Sequence, residues 1–316
     1  MRKKTNAASP SKKTPEARER FLGCLVGLAA GDAVGTAVEF QPRGTFKPVT
    51  DMAGGGPFKL APGQWTDDTS MALCLAASLV ERNGFDPADQ MERYCRWKEQ
   101  GYFSSTGKCF DIGITTAAAL RRYRRTGEAN AGSADPSTAG NGSIMRLAPI
   151  PMFFLPDVDA IERYAAESSL TTHGAPECVD ACRLFGRIIG RALLGQSKEE
   201  VLFADGPTFA GTKKIGAIAR GEYRTKTDAD IRGTGYVAAS LEAALWCFIR
   251  TDCFEQAILM AANLGDDADT TAAVCGQVAG AYYGAAGIPS RWREKLALLT
   301  EITELAKQLF EKRQLR

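Results

Sequence analysis

Two short segments concentrate acidic and hydroxyl side chains, and they lie far apart in the chain. They are Thr66-Asp67-Asp68-Thr69 and Gly265-Asp266-Asp267-Ala268-Asp269-Thr270-Thr271. An apolar, alanine-rich run follows each segment, which predicts that each begins a helix. Acids in a first helical turn can simply accept hydrogen bonds from the unpaired backbone amides and interact favourably with the helix dipole. Alternatively, two such segments that meet can bind hard cations such as Mg²⁺, Mn²⁺ or Ca²⁺ through their oxygens.

Two of the predicted helices carry glycine at four-residue spacing, which places the glycines along one helical face. A glycine in a helix interior costs about 1 kcal/mol relative to alanine, so a line of glycines requires a compensating gain. Close approach of two crossing helices would supply that gain and would bring the acidic segments together. The acids on or beside these helices are Asp32, Glu39, Asp267 and Asp269, and the glycines are Gly23, Gly27, Gly31, Gly35, Gly276, Gly280 and Gly284.

Helical periodicity dominates the sequence, and no stretch alternates apolar and polar residues for long enough to indicate a sheet. We therefore predict an all-α fold. Three long segments without periodicity, residues 41–65, 127–143 and 204–235, are predicted to be loops, and loops of this length are more often functional than idle. The predicted helices span residues 16–36, 68–83, 87–100, 112–126, 158–170, 174–195, 236–250, 253–264, 269–286 and 289–313.

Charge is unevenly distributed along the 316 residues. Residues 1–20 hold seven of the 39 Lys and Arg and two of the 37 Asp and Glu, which leaves 32 basic and 35 acidic residues in 21–316. We interpret residues 1–20 as a disordered basic arm, because their Ser, Pro, Lys and Thr offer little to bury, and residues 21–316 as one folded domain. Since the domain is slightly acidic, its charge argues against a nucleic-acid partner.

The cysteine and histidine contents exclude several classes of site. Nine cysteines, an odd number without a C-x-x-C pair, argue against a disulfide framework or a zinc site and suit a reducing cytoplasm. His173 is the single histidine, whereas nucleophilic triads and catalytic zinc usually require a His base or several His ligands. No run of about 18 apolar residues is found, so no membrane-spanning segment is predicted.

The second acidic segment is similar in sequence to two other kinds of motif. A calcium-binding EF-hand loop starting at Asp267 would need glycine in place of Ala272 and glutamate in place of Val278, so it fails. The D-x-D-x-T pattern at residues 267–271 resembles the nucleophile motif of haloacid-dehalogenase phosphatases. In those enzymes the motif follows a buried strand, whereas residues 257–261 are predicted to be helical. A phosphatase therefore stays a weaker alternative.

Several short motifs follow one another along the chain. They are Gly31-Asp32-Ala33-Val34-Gly35 with Glu39, Gln64-Trp65-Thr66-Asp67-Asp68-Thr69, Phe110-Asp111-Ile112-Gly113, Gly140-Asn141-Gly142-Ser143-Ile144-Met145-Arg146, Thr172-His173, Gly235-Tyr236 and Asp267-Ala268-Asp269-Thr270. In this order they resemble the ADP-ribosylglycohydrolase family, which includes the bacterial dinitrogenase-reductase-activating glycohydrolases. The resemblance spans roughly residues 20–290 and does not cover the N-terminal arm.

The resemblance implies a compact, single-domain orthogonal bundle of helices with two Mg²⁺ or Mn²⁺ ions in a cleft. It also implies cleavage of an N- or O-glycosidic bond at the anomeric carbon of ADP-ribose. Five carboxylates against two divalent ions nearly balance in charge, which explains how so many acids can share one small volume. The implied metal ligands are Glu39, Thr66, Asp67, Asp68, Asp267, Asp269 and Thr270.

The resemblance further implies which residues perform the chemistry. Asp111 is expected beside the ribose at the bond to be cut, where it positions the substrate or transfers a proton, and Glu39 is the other candidate for proton transfer. Asp67 and Asp269 are counted as catalytic because the ions that they hold would activate water. Without the resemblance, Asp111 could equally cap the helix predicted from Ile112.

The glycine-rich motif at residues 140–146 is expected to present backbone N–H groups to the pyrophosphate of the nucleotide. An ordinary glycine-rich turn has the same composition, and His173 and Tyr236 could equally be packed residues. The residues expected around the nucleotide are Asn141, Gly142, Ser143, Met145, His173 and Tyr236.

Together with the resemblance, these observations predict a cytoplasmic, metal-dependent hydrolase that removes ADP-ribose from arginine side chains of a modified protein. Serine, nucleobase and small-molecule linkages remain open. A second interpretation is an immunity protein that also binds an ADP-ribosyltransferase toxin through the basic arm. One residue departs from the family pattern: many members have glycine in place of Asp266, so Asp266 is not counted as a ligand.

Overall fold

The computed structural model describes residues 15–314, so most of the predicted basic arm lies outside the described residues. Within residues 15–314 the chain forms α-helices, short 3-10 turns and three isolated β-bridges but no β-sheet, and the predicted all-α class is confirmed. The helices are α1 (Ala17–Gly35), α2 (Asp67–Arg82), α3 (Pro87–Gln100), α4 (Ile114–Thr126), α5 (Pro149–Phe154), α6 (Val158–Leu170), α7 (Pro176–Leu194), α8 (Lys198–Phe203), α9 (Lys213–Ala219), α10 (Val237–Ile249), α11 (Phe254–Ala262), α12 (Ala268–Tyr283), α13 (Ser290–Arg293) and α14 (Leu299–Gln314).

The predicted helices all occur, but the prediction of one helix over residues 289–313 is wrong. Residues 294–298 separate α13 from α14, and Leu298 adopts a left-handed backbone with φ 50°, which a continuous helix does not allow. The sequence also failed to predict α5, α8 and α9, which have six or seven residues each. Segments this short hold too few turns for helical periodicity to be visible. Because α9 lies within residues 204–235, that segment is only partly a loop.

α1 and α12 cross in direct backbone contact, as the glycine spacing predicts. A Cβ atom on Gly27 would lie 2.4 Å from the carbonyl oxygen of Gly276, and one on Gly35 would lie 2.4 Å from that of Ala268. Only glycine fits such distances, because any side chain would overlap the facing backbone. The last turn of α1 thus lies against the first turn of α12. The acids of both helices therefore gather at one end of the pair.

The apolar character of α1 follows from its central position. The segment Ala17–Val38 is long and apolar enough, by length and composition, to cross a membrane, so the prediction that no segment has this composition is too strong. However, 89% of its most apolar window is buried inside the protein. α2, α7, α11, α12 and α14 all contact α1. A helix that is apolar on every face is what burial by several neighbours requires.

Candidate active site

The carboxylate of Asp32, near the end of α1, connects that helix to the start of α2. Its Oδ1 accepts hydrogen bonds from the backbone N–H and the hydroxyl of Thr66, both at 2.9 Å. Its Oδ2 accepts from the N–H and the hydroxyl of Thr69, at 3.1 and 2.6 Å. Asp32 thereby accepts hydrogen bonds from backbone amides at the start of α2, a role that a capping side chain next to the helix would otherwise have. The acids Asp67 and Asp68 are therefore not needed as caps.

The first turns of α2 and α12 face each other. The hydroxyl of Thr66 lies 3.2 Å from Asp269 Oδ2, and the hydroxyl of Thr270 donates to Asp68 Oδ1 at 3.3 Å. These contacts join residues that are 203 and 202 positions apart in the chain. The two acidic segments recognised in the sequence thus form one site.

Two irregular segments bring further carboxylates to this site. Glu39 follows the turn after α1 and is buried, and Asp111 precedes α4 with a left-handed backbone at φ 57°. One oxygen from each of Glu39, Asp111 and Asp269 lies within 4.8 Å of the other two. Since α4 begins at Ile114 with Gly113 as its N-cap, Asp111 does not cap that helix, and the capping alternative is wrong.

We call the seven converging acids the acidic cluster, which consists of Asp32, Glu39, Asp67, Asp68, Asp111, Asp267 and Asp269. Within residues 15–314, none of them forms an ion pair with a lysine or arginine. Burial raises the pKa of Asp32 to about 6. Burial and then neighbouring carboxylates raise the pKa of Asp111 to about 7 and that of Glu39 to about 10. The same two causes raise the pKa values of Asp67, Asp68 and Asp269 well above their usual range.

The unpaired oxygens of the acidic cluster fit divalent cations. Glu39 Oε2, Asp68 Oδ2 and Asp269 Oδ1 are buried and have no hydrogen-bond partner among the described residues. A buried carboxylate without a partner is costly, and a cation removes that cost. Because carboxylates and hydroxyls are oxygen donors, the set suits Mg²⁺, Mn²⁺ or Ca²⁺ better than a thiolate-binding metal. The predicted ligands that lie here are Glu39, Thr66, Asp67, Asp68, Asp267, Asp269 and Thr270.

A cavity of about 850 Å³ opens beside the acidic cluster, a volume typical of small-molecule sites. Its wall contains Asp67, Asp111, Asp267, Asp269 and, from the glycine-rich motif, residues 140–142. The amide of Asn141 donates to Asp267 Oδ2 at 2.6 Å, which fixes the glycine-rich turn against the cluster. The carboxylates and the turn therefore face one ligand-sized space.

The turn offers free backbone donors to that space. Within residues 15–314, the N–H groups of Gly142 and Ser143 donate to no other group, whereas the N–H of Asn141 is bonded to Gly235 O at 3.0 Å. Adjacent unpaired amides in a turn form a concave site for an anion. This arrangement suits a phosphate group beside the acidic cluster.

His173 lies in the cavity wall as a neutral donor. Burial, followed by the nearby Arg146 charge, lowers its pKa to about 3. Arg146 donates to the hydroxyl of Thr172 at 2.7 Å, and that hydroxyl lies 2.8 Å from His173 Nδ1. The hydroxyl can therefore donate to Nδ1, an arrangement in which the proton of the ring is on Nε2. A Cβ on Gly142 would lie 3.1 Å from Nε2, so the glycine permits the imidazole to reach the turn.

Two residues expected around the nucleotide do not line the cavity with their side chains. Ser143 is buried, and its hydroxyl accepts a hydrogen bond from Ser169 at 3.0 Å. The hydroxyl of Tyr236 donates to Glu177 and accepts from Lys214 Nζ at 2.9 Å, and the ring is covered by Lys214 at 4.4 Å. Met145 and His173 do line the cavity, as do Asn141 and Gly142.

Sequence reasoning assigned no role to two residues that position this site. Asp32 was recognised as an acid of the first helix and as part of a motif, but not as the residue that orders the start of α2. Arg146 is fully buried and donates to Gly142 O at 2.6 Å, so it holds the glycine-rich turn from behind. A signal for Arg146 was available, because it is the single charged residue in the apolar run 144–155.

The structure does not support the haloacid-dehalogenase phosphatase alternative. Its motif must follow a buried strand, whereas helix α11 precedes Asp267. The side chain of Asp267 is bonded to Asn141 within the cluster rather than standing alone at the end of a strand.

Comparisons with known proteins agree with the geometry. The sequence model of the family described as ADP-ribosylglycohydrolase matches residues 13–316. The chain is 48% identical to ADP-ribosylarginine hydrolase Tri1 of Pseudomonas putida (strain GB-1), over 95% of this chain and 80% of that protein. It is 31% identical to the ADP-ribosyl-[dinitrogen reductase] glycohydrolase of Rhodospirillum rubrum, over 91% of this chain and 93% of that protein. A solved structure, titled ADP-ribosylglycohydrolase-related protein complex, superposes with a TM-score of 0.84 at 42% identity, over 94% of this chain and 99% of that one.

Proposed function

The chain belongs to the ADP-ribosylglycohydrolase family of hydrolases, and we propose that it removes ADP-ribose from arginine side chains of modified proteins. We propose further that two Mg²⁺ or Mn²⁺ ions assist the reaction and that free ADP-ribose is the product. The observation that carries this proposal is the meeting of two acidic segments beside a cavity that also holds an anion-binding turn. Similarity to a relative named for ADP-ribosylarginine supports the choice of arginine.

The cations would be held by oxygens of the acidic cluster and of Thr66 and Thr270. When bound, such ions supply Lewis acidity, which orients sugar hydroxyls and makes water more acidic. They would also offset the repulsion that raises the pKa values of the cluster. The nearly equal charges of five ligand carboxylates and two divalent ions support a pair of ions.

The remaining groups of the site have distinct tasks in hydrolysis. The pyrophosphate is placed on the N–H groups of Gly142 and Ser143, and the neutral His173 donates from Nε2 beside them. In this proposal the ribose lies over the acidic cluster. Water adds its oxygen to the anomeric carbon, the carbon–nitrogen bond breaks, and the leaving guanidine nitrogen receives a proton. Asp111 and Glu39 lie close enough together to share the proton transfers.

Mass spectrometry of a substrate panel tests this proposal. The protein with Mg²⁺ would be incubated with peptides ADP-ribosylated on arginine or on serine and with an ADP-ribosylated nucleobase. We expect release of ADP-ribose from the arginine peptide at a rate well above the other two. Release from serine or from the nucleobase alone would contradict the arginine assignment while leaving the family assignment intact.

A second role is supported by the composition of the N-terminus. Seven of the first 20 residues are basic, of which Arg18 and Arg20 lie in α1, and the family match begins only at residue 13. We propose that this arm binds the acidic or nucleotide-binding cleft of an ADP-ribosyltransferase toxin in the cytoplasm. Deletion of residues 2–12, which precede α1, should preserve hydrolysis and weaken binding to such a toxin. Unchanged toxin binding would contradict the role of the arm.

A further inference from the structure

Phe40 presents a large apolar ring at the edge of the active site. Its side chain is 64% exposed, although the residue lies in the cavity wall and directly follows Glu39 of the acidic cluster. Its backbone is left-handed with φ 62°, a conformation that is uncommon for a bulky residue and costs free energy. Strain and apolar exposure at the same position indicate that this ring contacts a ligand.

The position of Phe40 is fixed by reciprocal backbone hydrogen bonds with the second acidic segment. The N–H of Phe40 donates to Asp266 O at 2.7 Å, and the N–H of Asp266 donates to Gln41 O at 2.8 Å. Gly265 makes this approach feasible, since a Cβ there would lie 2.6 Å from Gln41 O. Phe58 also supports the ring, with 6.4 Å between the two ring centroids. Phe40 is therefore held at the cavity rather than free to fold onto the surface.

Asp266 brings a carboxylate to the same part of the wall. It lines the cavity and also has a left-handed backbone, with φ 55°. From residues 15–314 its side chain accepts no hydrogen bond, and it forms no ion pair. Asp267, by contrast, is bonded to Asn141. Asp266 is therefore a half-exposed acid in the cavity wall that forms no ion pair within residues 15–314.

We propose that Phe40 and Asp266 together recognise the guanidinium group of the arginine from which ADP-ribose is removed. This inference rests on the proposed arginine specificity and names the residues that produce it. A guanidinium is planar and cationic, so it stacks on aromatic faces and pairs with carboxylates. A serine linked through its oxygen has neither a planar face nor a positive charge and offers neither interaction.

The location of the pair agrees with this role. The phosphates are placed at residues 142–143, and the bond to be cut lies over the acidic cluster. Phe40 adjoins Glu39, whose oxygen lies within 4.8 Å of oxygens of Asp111 and Asp269. Phe40 therefore lies in the same cavity wall as Glu39 and Asp111, where the proposed reaction puts the leaving group.

Kinetics with ADP-ribosylated agmatine, a minimal guanidine-linked substrate, test the proposal. We expect Phe40→Leu, which keeps an apolar side chain without an aromatic face, to lower kcat/KM by about 5- to 30-fold. Phe40→Tyr retains the ring and should restore most of the activity. Asp266→Asn keeps the shape and tolerates the left-handed backbone, and its loss of charge should lower kcat/KM by a similar factor. The Kd of free ADP-ribose should stay unchanged in all three variants.

Leu194→Ala is the matched control, because Leu194 is 44% exposed on α7 and does not line the cavity. It should leave kcat/KM unchanged. Wild-type kcat/KM in both Phe40→Leu and Asp266→Asn would overturn this inference and leave the proposed function standing. An equal loss of ADP-ribose affinity would overturn it too, because the pair would then shape the nucleotide site. No turnover of ADP-ribosylated agmatine by the wild-type protein would overturn both proposals.

Discussion

The acidic cluster and Arg146 are two buried charged regions on either side of the glycine-rich turn, and they are stabilised in opposite ways. Arg146 is fully buried and has no carboxylate partner within residues 15–314, but neutral oxygens surround it. It donates to Gly142 O at 2.6 Å, Thr172 Oγ1 at 2.7 Å and Ser168 O at 3.3 Å, and it lies 4.9 Å from the centre of the Tyr94 ring. The two terminal nitrogens of the guanidinium are thus solvated by the protein itself, whereas its Nε has no hydrogen-bond partner within residues 15–314.

The acidic cluster is not solvated in this way. Three of its oxygens are buried without a hydrogen-bond partner, and no cation of residues 15–314 pairs with it. A buried charge that is hydrogen-bonded to neutral groups can contribute to the stability of the fold. A buried charge without partners destabilises the fold until a ligand of opposite charge binds to it. The unpaired oxygens therefore indicate that the acidic cluster is a binding site. The Arg146 region, which is held by hydrogen bonds to neutral groups, is part of the scaffold.

The largest effect is expected from neutralising the cluster. Asp269→Asn or Asp67→Asn should lower ADP-ribose release from an arginine-modified peptide by roughly 10³-fold, because each removes a charged oxygen at the site of chemistry. In EDTA the same variants should unfold at a higher temperature than the wild-type protein, because repulsion is relieved. Activity assays and differential scanning calorimetry measure the two effects. Glu128→Gln, at an exposed acid, is the control and should change neither.

Removal of the buried cation should have the opposite effect on stability. Arg146→Met should lower the free energy of unfolding by about 3 kcal/mol, because several carbonyl and hydroxyl acceptors lose a charged donor. Denaturant titration measures this change. Arg121→Met, at an exposed position of α4, should change stability little. Equal effects of the two substitutions would show that the hydrogen bonds of Arg146 contribute nothing to the free energy of unfolding.

Addition of divalent cations should stabilise the cluster and not the Arg146 region. At 100 times the Kd, Mg²⁺ or Mn²⁺ should add about 2.7 kcal/mol to the free energy of unfolding, since only the folded chain assembles the site. The shift should be reversed by EDTA and absent in Asp269→Asn. A wild-type Tm that does not respond to either ion would contradict the proposed metal site.

A smaller effect is expected from pH in the absence of metal. Folding raises the pKa of Asp32 to about 6 and of Asp111 to about 7, so the folded protein holds these protons more tightly than the unfolded chain. Their contribution to stability is complete below the ordinary acid range, near pH 4, and is lost as the pH rises through about 6 and 7. In EDTA, the Tm of Asp111→Asn relative to the wild-type protein should therefore increase between pH 5 and pH 8. A constant difference would contradict the raised pKa.

Much of this arrangement could be predicted from the sequence because it depends on local signals. Glycine spacing in α1 and α12 predicts their close approach, and the apolar runs after the acidic segments predict the starts of α2 and α12. Asp67, Asp68, Asp267 and Asp269 could be recognised as one site because they stand at those two helix starts. Short helices such as α9 could not be predicted, since they are stabilised by packing rather than by their own periodicity.

Features of the site that depend on long-range contacts could not be predicted from the sequence. The exposure of Phe40 and the direction of Asp266 depend on hydrogen bonds between residues far apart in the chain, and no local pattern indicates them. The same reason applies to Ser143, whose hydroxyl turns toward Ser169 instead of the cavity. Asp32 was visible as an acid, but its four bonds to Thr66 and Thr69 depend on how α1 meets α2.

Anomalous X-ray scattering from crystals soaked in Mn²⁺ tests the central claim most directly. The account predicts two anomalous peaks between the first turns of α2 and α12, each within coordination distance of oxygens of Asp67, Asp68, Asp267 or Asp269. Soaking Asp269→Asn crystals should remove or weaken at least one of the peaks. The absence of any peak in the wild-type cluster, with its oxygens still buried and unpaired, would contradict the account.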